Sequence, residues 1–369
     1  MKCIIFLGHH KTGSSALQEF FTRNANRLRK NGVLYPFIEP KGAQYLAGLQ
    51  ENEVHTGALP ARLRSPHNFI AYQMMEESIA AYKTPARFAP LPSVATMFAD
   101  IADQVARDRP HTLLLCSEVF SHFGVRRPEL VQDLLTGLGA TDVSFYLTLR
   151  RPDQHICAWY SQMLKFGRKP TPLSQGGLAW FKGTSHVELA RAAAPWVAAA
   201  KPQKMHLHTY AQIMQNGGVV PHFSKAVGLD ISTLETVTVS TNVSIPYAFF
   251  DLCAKANTDL PRTTAARLRR MLHKHRAALP VPSNAQVEIL GQQARDEIYA
   301  HAQPIDYALA QMVAKDAFFD DLDDIRQMHP MTQSAAQALA LEAAKAVLPD
   351  YLTDQENDVI LRNWLSAQA

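Results

Sequence analysis

Lys2-Cys3-Ile4-Ile5-Phe6-Leu7-Gly8-His9-His10-Lys11-Thr12-Gly13-Ser14-Ser15-Ala16-Leu17-Gln18 is the stretch whose reading decides the fold. Its first half is a short apolar run closed by Gly8, the pattern of a strand buried on both faces. From Ser14 the period changes. Leu17, Phe20, Phe21, Ala25 and Leu28 recur at helical spacing, and Arg27, Arg29 and Lys30 crowd the end before Gly32. Basic residues in a last turn with glycine just beyond mark a helix C-terminus. Strand, glycine-bearing loop and helix therefore follow one another. A loop in that place turns successive backbone N–H groups toward an anion, and the helix dipole adds to the attraction. Gly8 and Gly13 permit tight turns, Ser14 and Ser15 add hydroxyls, and Lys11 brings a full positive charge.

The alternation continues outward. His111–Cys116 and Val143–Leu149 read as further buried strands, ending at Ser117-Glu118 and at Arg150-Arg151-Pro152. Lys204–His208 is a fourth candidate, and Gly32–Pro36 a small strand or turn. Helices are expected near 43–49, 69–82, 97–105, 129–138, from Pro152, and over 187–200 and 219–227. The polar, glycine-bearing stretch 167–185 reads as a loop. Beyond Asn242 the pattern is helical, broken near Pro261, Pro280, Pro282, Pro304 and Pro330. Strands alternating with helices predict an α/β fold, a parallel sheet flanked by helices with a helical C-terminal region. The expected division is a core over 1–240 and a helical cap over 241–369. Ligands of such sheets bind beyond the carboxyl ends of the strands, where Gly8, Glu118 and Arg150 fall.

Composition narrows the function. The 369 residues carry 37 Lys+Arg against 33 Asp+Glu, a net +4, with 47% hydrophobic and 19% charged residues. That is globular, and without a Lys/Arg block it does not suit a nucleic-acid binder. Cys3, Cys116, Cys157 and Cys253 show no metal or C-x-x-C spacing and read as buried free thiols. No apolar run approaches the ~18 residues of a membrane span. The run before Gly8 is shorter than the ~7–15 apolar residues of a secretory segment, so a cytoplasmic location is expected. Nothing in the sequence reads out an oligomeric state.

A nucleotide P-loop reads G-x-x-x-x-G-K-[ST]. Here Ser14 follows Gly13, and the lysine stands earlier, at Lys11. The run His10-Lys11-Thr12-Gly13-Ser14-Ser15-Ala16-Leu17-Gln18 resembles the 5′-phosphosulfate-binding loop of bacterial sulfotransferases that use 3′-phosphoadenosine-5′-phosphosulfate (PAPS). Leu149-Arg150-Arg151-Pro152-Asp153, with the helix carrying Trp159-Tyr160-Ser161-Gln162, resembles that family's 3′-phosphate motif. The family's serine eight residues after the arginine is Ala158 here. Ser161, three residues further along the helix, or a bridging water is the expected substitute. His206–Asp230 and Asn242-Val243-Ser244 resemble later segments of the family more weakly.

The resemblance implies a P-loop-like sulfotransferase core, PAPS as cofactor and sulfuryl donor, and a small-molecule or carbohydrate acceptor. Lys11, Thr12, Gly13, Ser14, Ser15, Arg150 and Ser161 would bind the nucleotide. Lys11 would also stabilise the leaving phosphate oxygen, and Glu118, His10 or His9 would accept the acceptor's proton. No metal is expected, because the strand ends offer arginine where a magnesium-binding kinase would place an acid. A phosphoryl-transferring kinase and a non-catalytic nucleotide-binding relative are the alternatives.

Overall fold

The computed structural model describes residues 1–48, 59–236 and 244–368. They form two compact units. The first comprises Met1–Arg151, Gly183–Thr241 and Ile305–Asp320; the second comprises Pro152–Lys182, Asn242–Pro304 and Asp321–Ala369. The expected boundary at 240/241 lies outside the described residues, as do Asn242 and Val243 of the weakly matching turn and Leu49 of the helix expected at 43–49.

In chain order the sheet unit runs β1 (Lys2–Phe6), α1 (Ser14–Arg23), β2 (Val33–Leu34), α2 (Val94–Asp108), β3 (Thr112–Cys116), α3 (Leu130–Gly137) and β4 (Asp142–Leu149). After α4 (Pro152–Lys165), which belongs to the second unit, it resumes with α5 (Leu189–Ala199), β5 (Met205–Thr209) and α6 (Val219–Val227). Among the described residues the strands make one five-stranded sheet in the order β2-β3-β1-β4-β5. Every pairing in it is parallel. The chain therefore has the α/β architecture its alternation predicts, a parallel sheet flanked by helices.

The apolar run of β1 is explained by its place. It is the central strand, pairing Phe6 with Cys116 of β3 and with Tyr146 of β4. Alternate residues feed opposite faces. Ile4 and Phe6 join Leu114 and Tyr146 against Leu17, Phe20 and Phe21 of α1 and Phe223 of α6. On the other face Phe145 meets Trp196 of α5 edge-on, with ring centroids 5.4 Å apart. This register brings the carboxyl ends of β1, β3 and β4 to one edge. The chain leaves β1 toward the β2 side and leaves β4 toward β5, so the strand order reverses at β1, where a ligand crevice is favoured.

Two expectations need correction. The helix read from Ser14 to Lys30 breaks at Asn24 and resumes as Ala25–Lys30. Asn24 exchanges a pair of hydrogen bonds with the backbone of Glu235, donating from Nδ2 and accepting at Oδ1. That tertiary clasp outweighs local helix propensity. The stretch 167–185 is not a plain loop: it holds 3₁₀ turns at Leu173–Gln175 and Gly177–Phe181, with Leu173, Leu178 and Phe181 buried. The polar and glycine residues masked those three anchors.

The second unit is helical, with Phe250–Asp259, Arg262–Lys274, Gln333–Val347 and Glu356–Ser366 among its helices. It also holds a short parallel pair, Val287–Glu288 with Met331–Thr332, too brief to leave a sequence signal. The four cysteines are free and buried, as their apolar settings predict.

Candidate active site

The loop between β1 and α1 begins with a crowded glycine. A Cβ at Gly8 would lie 2.2 Å from the Phe6 ring, so only glycine lets the strand end fold back there. Gly13 sits at φ 93° as the N-cap of α1 and offers no side-chain cap, and the first turn of the helix carries no acid. The N-terminal amides of the helix thus keep both their unpaired donors and their dipole. Lys11 adopts φ 65°, the left-handed conformation that non-glycine residues avoid. Holding a β-carbon there costs about 1–2 kcal/mol. Outliers of this kind concentrate at functional sites, where surrounding structure sustains them.

The loop's hydroxyls differ in what they can offer. Thr12 is buried and its Oγ1 donates to the His9 carbonyl at 2.5 Å, so only its amide remains for a ligand. Ser14 is buried, whereas Ser15 is partly exposed. Arg150, just past β4, is partly exposed and lies over the Tyr210 ring, 5.0 Å from its centroid, which limits its rotamers.

Glu118 follows β3 and is partly exposed. Gln18 Nε2 donates to its Oε2 at 2.7 Å, and Asn68 Nδ2 to its Oε1 at 3.3 Å. Gln18 is itself fixed at Oε1 by Ser65, and Asn68 at Oδ1 by Ser117. The last residue of the loop-and-helix motif thereby aims the carboxylate, a role its sequence position did not disclose. Both donors are neutral amides, so the charge is oriented without being cancelled.

The sequence scatters its histidines; the sheet unit gathers four of them. His10 and His122 meet at 2.7 Å between their Nε2 atoms. His186 packs against His9, His10 and His122 with centroid separations of 6.0, 5.9 and 6.3 Å. His9 donates from Nε2 to the Ser185 carbonyl at 2.7 Å, which fixes its tautomer. Burial pushes His9 down to about 4. Burial, then the charges of His9 and Arg126, push His122 down to about 3. Burial and the neighbouring histidines hold His10 and His186 well below the usual range. All four are neutral at pH 7. His122 and His186 escaped the sequence reading because 112 residues separate His122 from His10 and no motif spans the gap.

Ser161 belongs to the helical unit, is fully buried, and its Oγ accepts from the Ile245 N–H at 3.0 Å. It presents no hydroxyl to solvent, so the expectation that it replaces the serine missing at Ala158 gains nothing from its surroundings. Of the remaining expected residues, Lys11, Thr12, Gly13, Ser14 and Ser15 form one continuous loop with His10. Glu118 is tied to the helix that follows it, and Arg150 stands at the end of the adjacent strand. No helix among the described residues is long and apolar enough to cross a membrane. Comparison with family models, with curated proteins and with solved structures found no match.

Proposed function

We propose that the chain is a PAPS-dependent sulfotransferase with a P-loop-like core, acting on a hydroxyl or amine of a small-molecule or carbohydrate acceptor. Lys11 carries the reading: a lysine held at a strained left-handed φ inside an anion-binding turn, at the carboxyl end of the central strand. The donor set fits the nucleotide. Amides of residues 12–15 and the Ser15 hydroxyl suit the 5′-phosphate, and Arg150 suits the 3′-phosphate through paired N–H donors. A β-carbon at Gly13 would press on Val219 at 3.1 Å, so the turn stays narrow enough for amides to converge.

In the proposed step the acceptor oxygen or nitrogen attacks sulfur, and the sulfur–oxygen bond to the 5′-phosphate breaks. A sulfate ester or sulfamate forms and adenosine 3′,5′-bisphosphate leaves. Lys11 neutralises the charge growing on the leaving phosphate oxygen. The acceptor's proton passes to a base on the loop edge, for which Glu118 is oriented by Gln18 and Asn68.

Isothermal titration with adenosine 3′,5′-bisphosphate tests this. Binding is expected with chelator present and is expected to weaken strongly in Lys11→Ala; no detectable binding defeats the proposal. Binding only of ATP with Mg²⁺ would favour the kinase alternative. The buried Ser161 favours a second reading, a non-catalytic nucleotide-binding relative. Bisphosphate binding without turnover across a broad acceptor panel would select it.

A further inference from the structure

We propose that the His10–His122 pair takes up a proton when a polyanion binds at the Lys11 loop, so that anion binding and protonation are coupled. The inference rests on the anion-binding part of the reading above and goes beyond it, because that reading asks a histidine only to accept the acceptor's proton, not to gain one when the anion binds.

The geometry supplies the argument. At 2.7 Å between two Nε2 atoms one ring must donate and the other accept. The neutral pair therefore holds a single proton between its rings. A second proton placed there would set two donors against each other, so added protons go to an outer nitrogen, and the pair carries one positive charge before the contact breaks. The store has a capacity of one.

The fields acting on that store oppose the charge. Burial opposes it most at His10; His122, His186 and His9 oppose it when protonated, and the ammonium of Lys11, its neighbour in the chain, adds a smaller field. His122 feels His9 and Arg126. When His122 is the donating ring of the pair, its Nδ1 takes the added proton and the Ser185 hydroxyl, 3.5 Å away, accepts from it. Both rings are partly buried, so each field acts through little water. A polyanion on Lys11 shifts the balance toward the charged pair. It cancels the ammonium and places negative charge beside His10, favouring the protonated pair. By linkage, protonation then tightens the anion by the same factor.

The test titrates the full-length chain with adenosine 3′,5′-bisphosphate and, separately, with pyrophosphate. Calorimetry runs at pH 6.0, 6.5, 7.0 and 7.5 in buffers of different ionisation enthalpy. The dependence of the observed heat on buffer enthalpy counts the protons taken up. We expect uptake approaching one proton at the lower pH values, with affinity falling up to tenfold per pH unit above them. His122→Asn and His10→Gln, each checked for a native circular dichroism spectrum, should bind with little uptake and a flat pH profile. Binding by the unsubstituted chain with no proton uptake and no pH dependence overturns the coupling and leaves the anion site standing. Uptake unchanged in both variants overturns it as well, by moving the proton to another group. Binding of pyrophosphate but not of the bisphosphate defeats the nucleotide reading while still measuring the coupling, and binding of neither defeats both.

Discussion

Two glutamates, one in each unit, show how similar local chemistry serves different ends. Glu288, in the helical unit, accepts at Oε1 from the Leu290 and Gly291 amides, both at 2.8 Å. Its Oε2 accepts from Arg295 Nε and from the His329 amide, both at 2.9 Å. Burial pushes its carboxyl up, but bonds from His329, Gly291, Leu290 and Arg295 outweigh that and leave it below the usual range. Every lone pair is used and the charge is cancelled, which makes a clasp that joins the strand pair to the turn before helix Gln292–Met312. Glu118, in the sheet unit, is held just as firmly in direction, yet by neutral amides and with one side open to solvent. A fully paired carboxylate stabilises; an oriented but uncancelled one remains available for chemistry.

The largest expected effect breaks the clasp. Glu288→Ala leaves Arg295 buried without its partner and should cost ~3–5 kcal/mol, read by denaturant unfolding. Glu118→Gln in the same assay should cost less, ~1.5–3 kcal/mol, because it disturbs only hydrogen bonds from neutral amides to the carboxylate and leaves no buried cation unpaired. Equal losses at the two positions would erase the contrast.

Next comes the chemistry itself. On the proposed function, Lys11→Ala should slow sulfuryl transfer by roughly 10²–10³-fold, about 2.7–4 kcal/mol of transition-state stabilisation. Its unfolding midpoint should hardly move. A comparable loss of stability would make Lys11 structural, placing it beside Glu288 instead of Glu118.

pH separates the two regions by range. His9 and His122 are lowered in the folded chain, to about 4 and about 3, so the unfolded chain binds more protons below about pH 6.5. Stability should therefore fall as pH drops from about 6.5 toward 4, and His122→Asn should flatten that slope. Glu288 is also lowered, so its contribution is present above the unfolded value near ~4.3 and is lost as pH falls through the folded one. Thermal midpoints from pH 7.5 to 3.5 should show the histidine loss first and the Glu288 loss after it.

The smallest effect concerns backbone strain. Lys11→Gly should be about 0.5–1 kcal/mol more stable than Lys11→Ala. Glycine accepts φ 65° without penalty, and its greater freedom in the unfolded chain offsets only part of the gain. Identical stabilities would mean that the loop relaxes when the lysine is removed.

Much of the sheet unit was legible from local pattern. β1, β3, β4, β5 and α6 stand where apolar runs and turn residues put them, because strands buried on both faces leave runs that few other elements share. The loop Gly8–Ser15 was legible for the same reason, its constraints lying within eight consecutive residues. The bond from Ile245 to Ser161 was not legible, because helical spacing says which residues lie near one another, not what packs onto them; Ile245 lies 84 residues away. Gln18 and Asn68 went unnoticed as the groups that aim Glu118, since their partnership spans 50 and 100 residues.

By itself the sequence determined the strand–loop–helix unit, the parallel α/β class and the place of Lys11 and its glycines in the loop after the first strand. These follow from backbone sterics and periodicity, which act over a few residues. Only the tertiary structure decided that His9 and His10 pack with the distant His122 and His186, that Glu118 is aimed without being neutralised, and that Ser161 is interior. Those outcomes depend on burial and on charges brought together across more than a hundred residues, and desolvation is a property of the folded surroundings, not of neighbours in the chain.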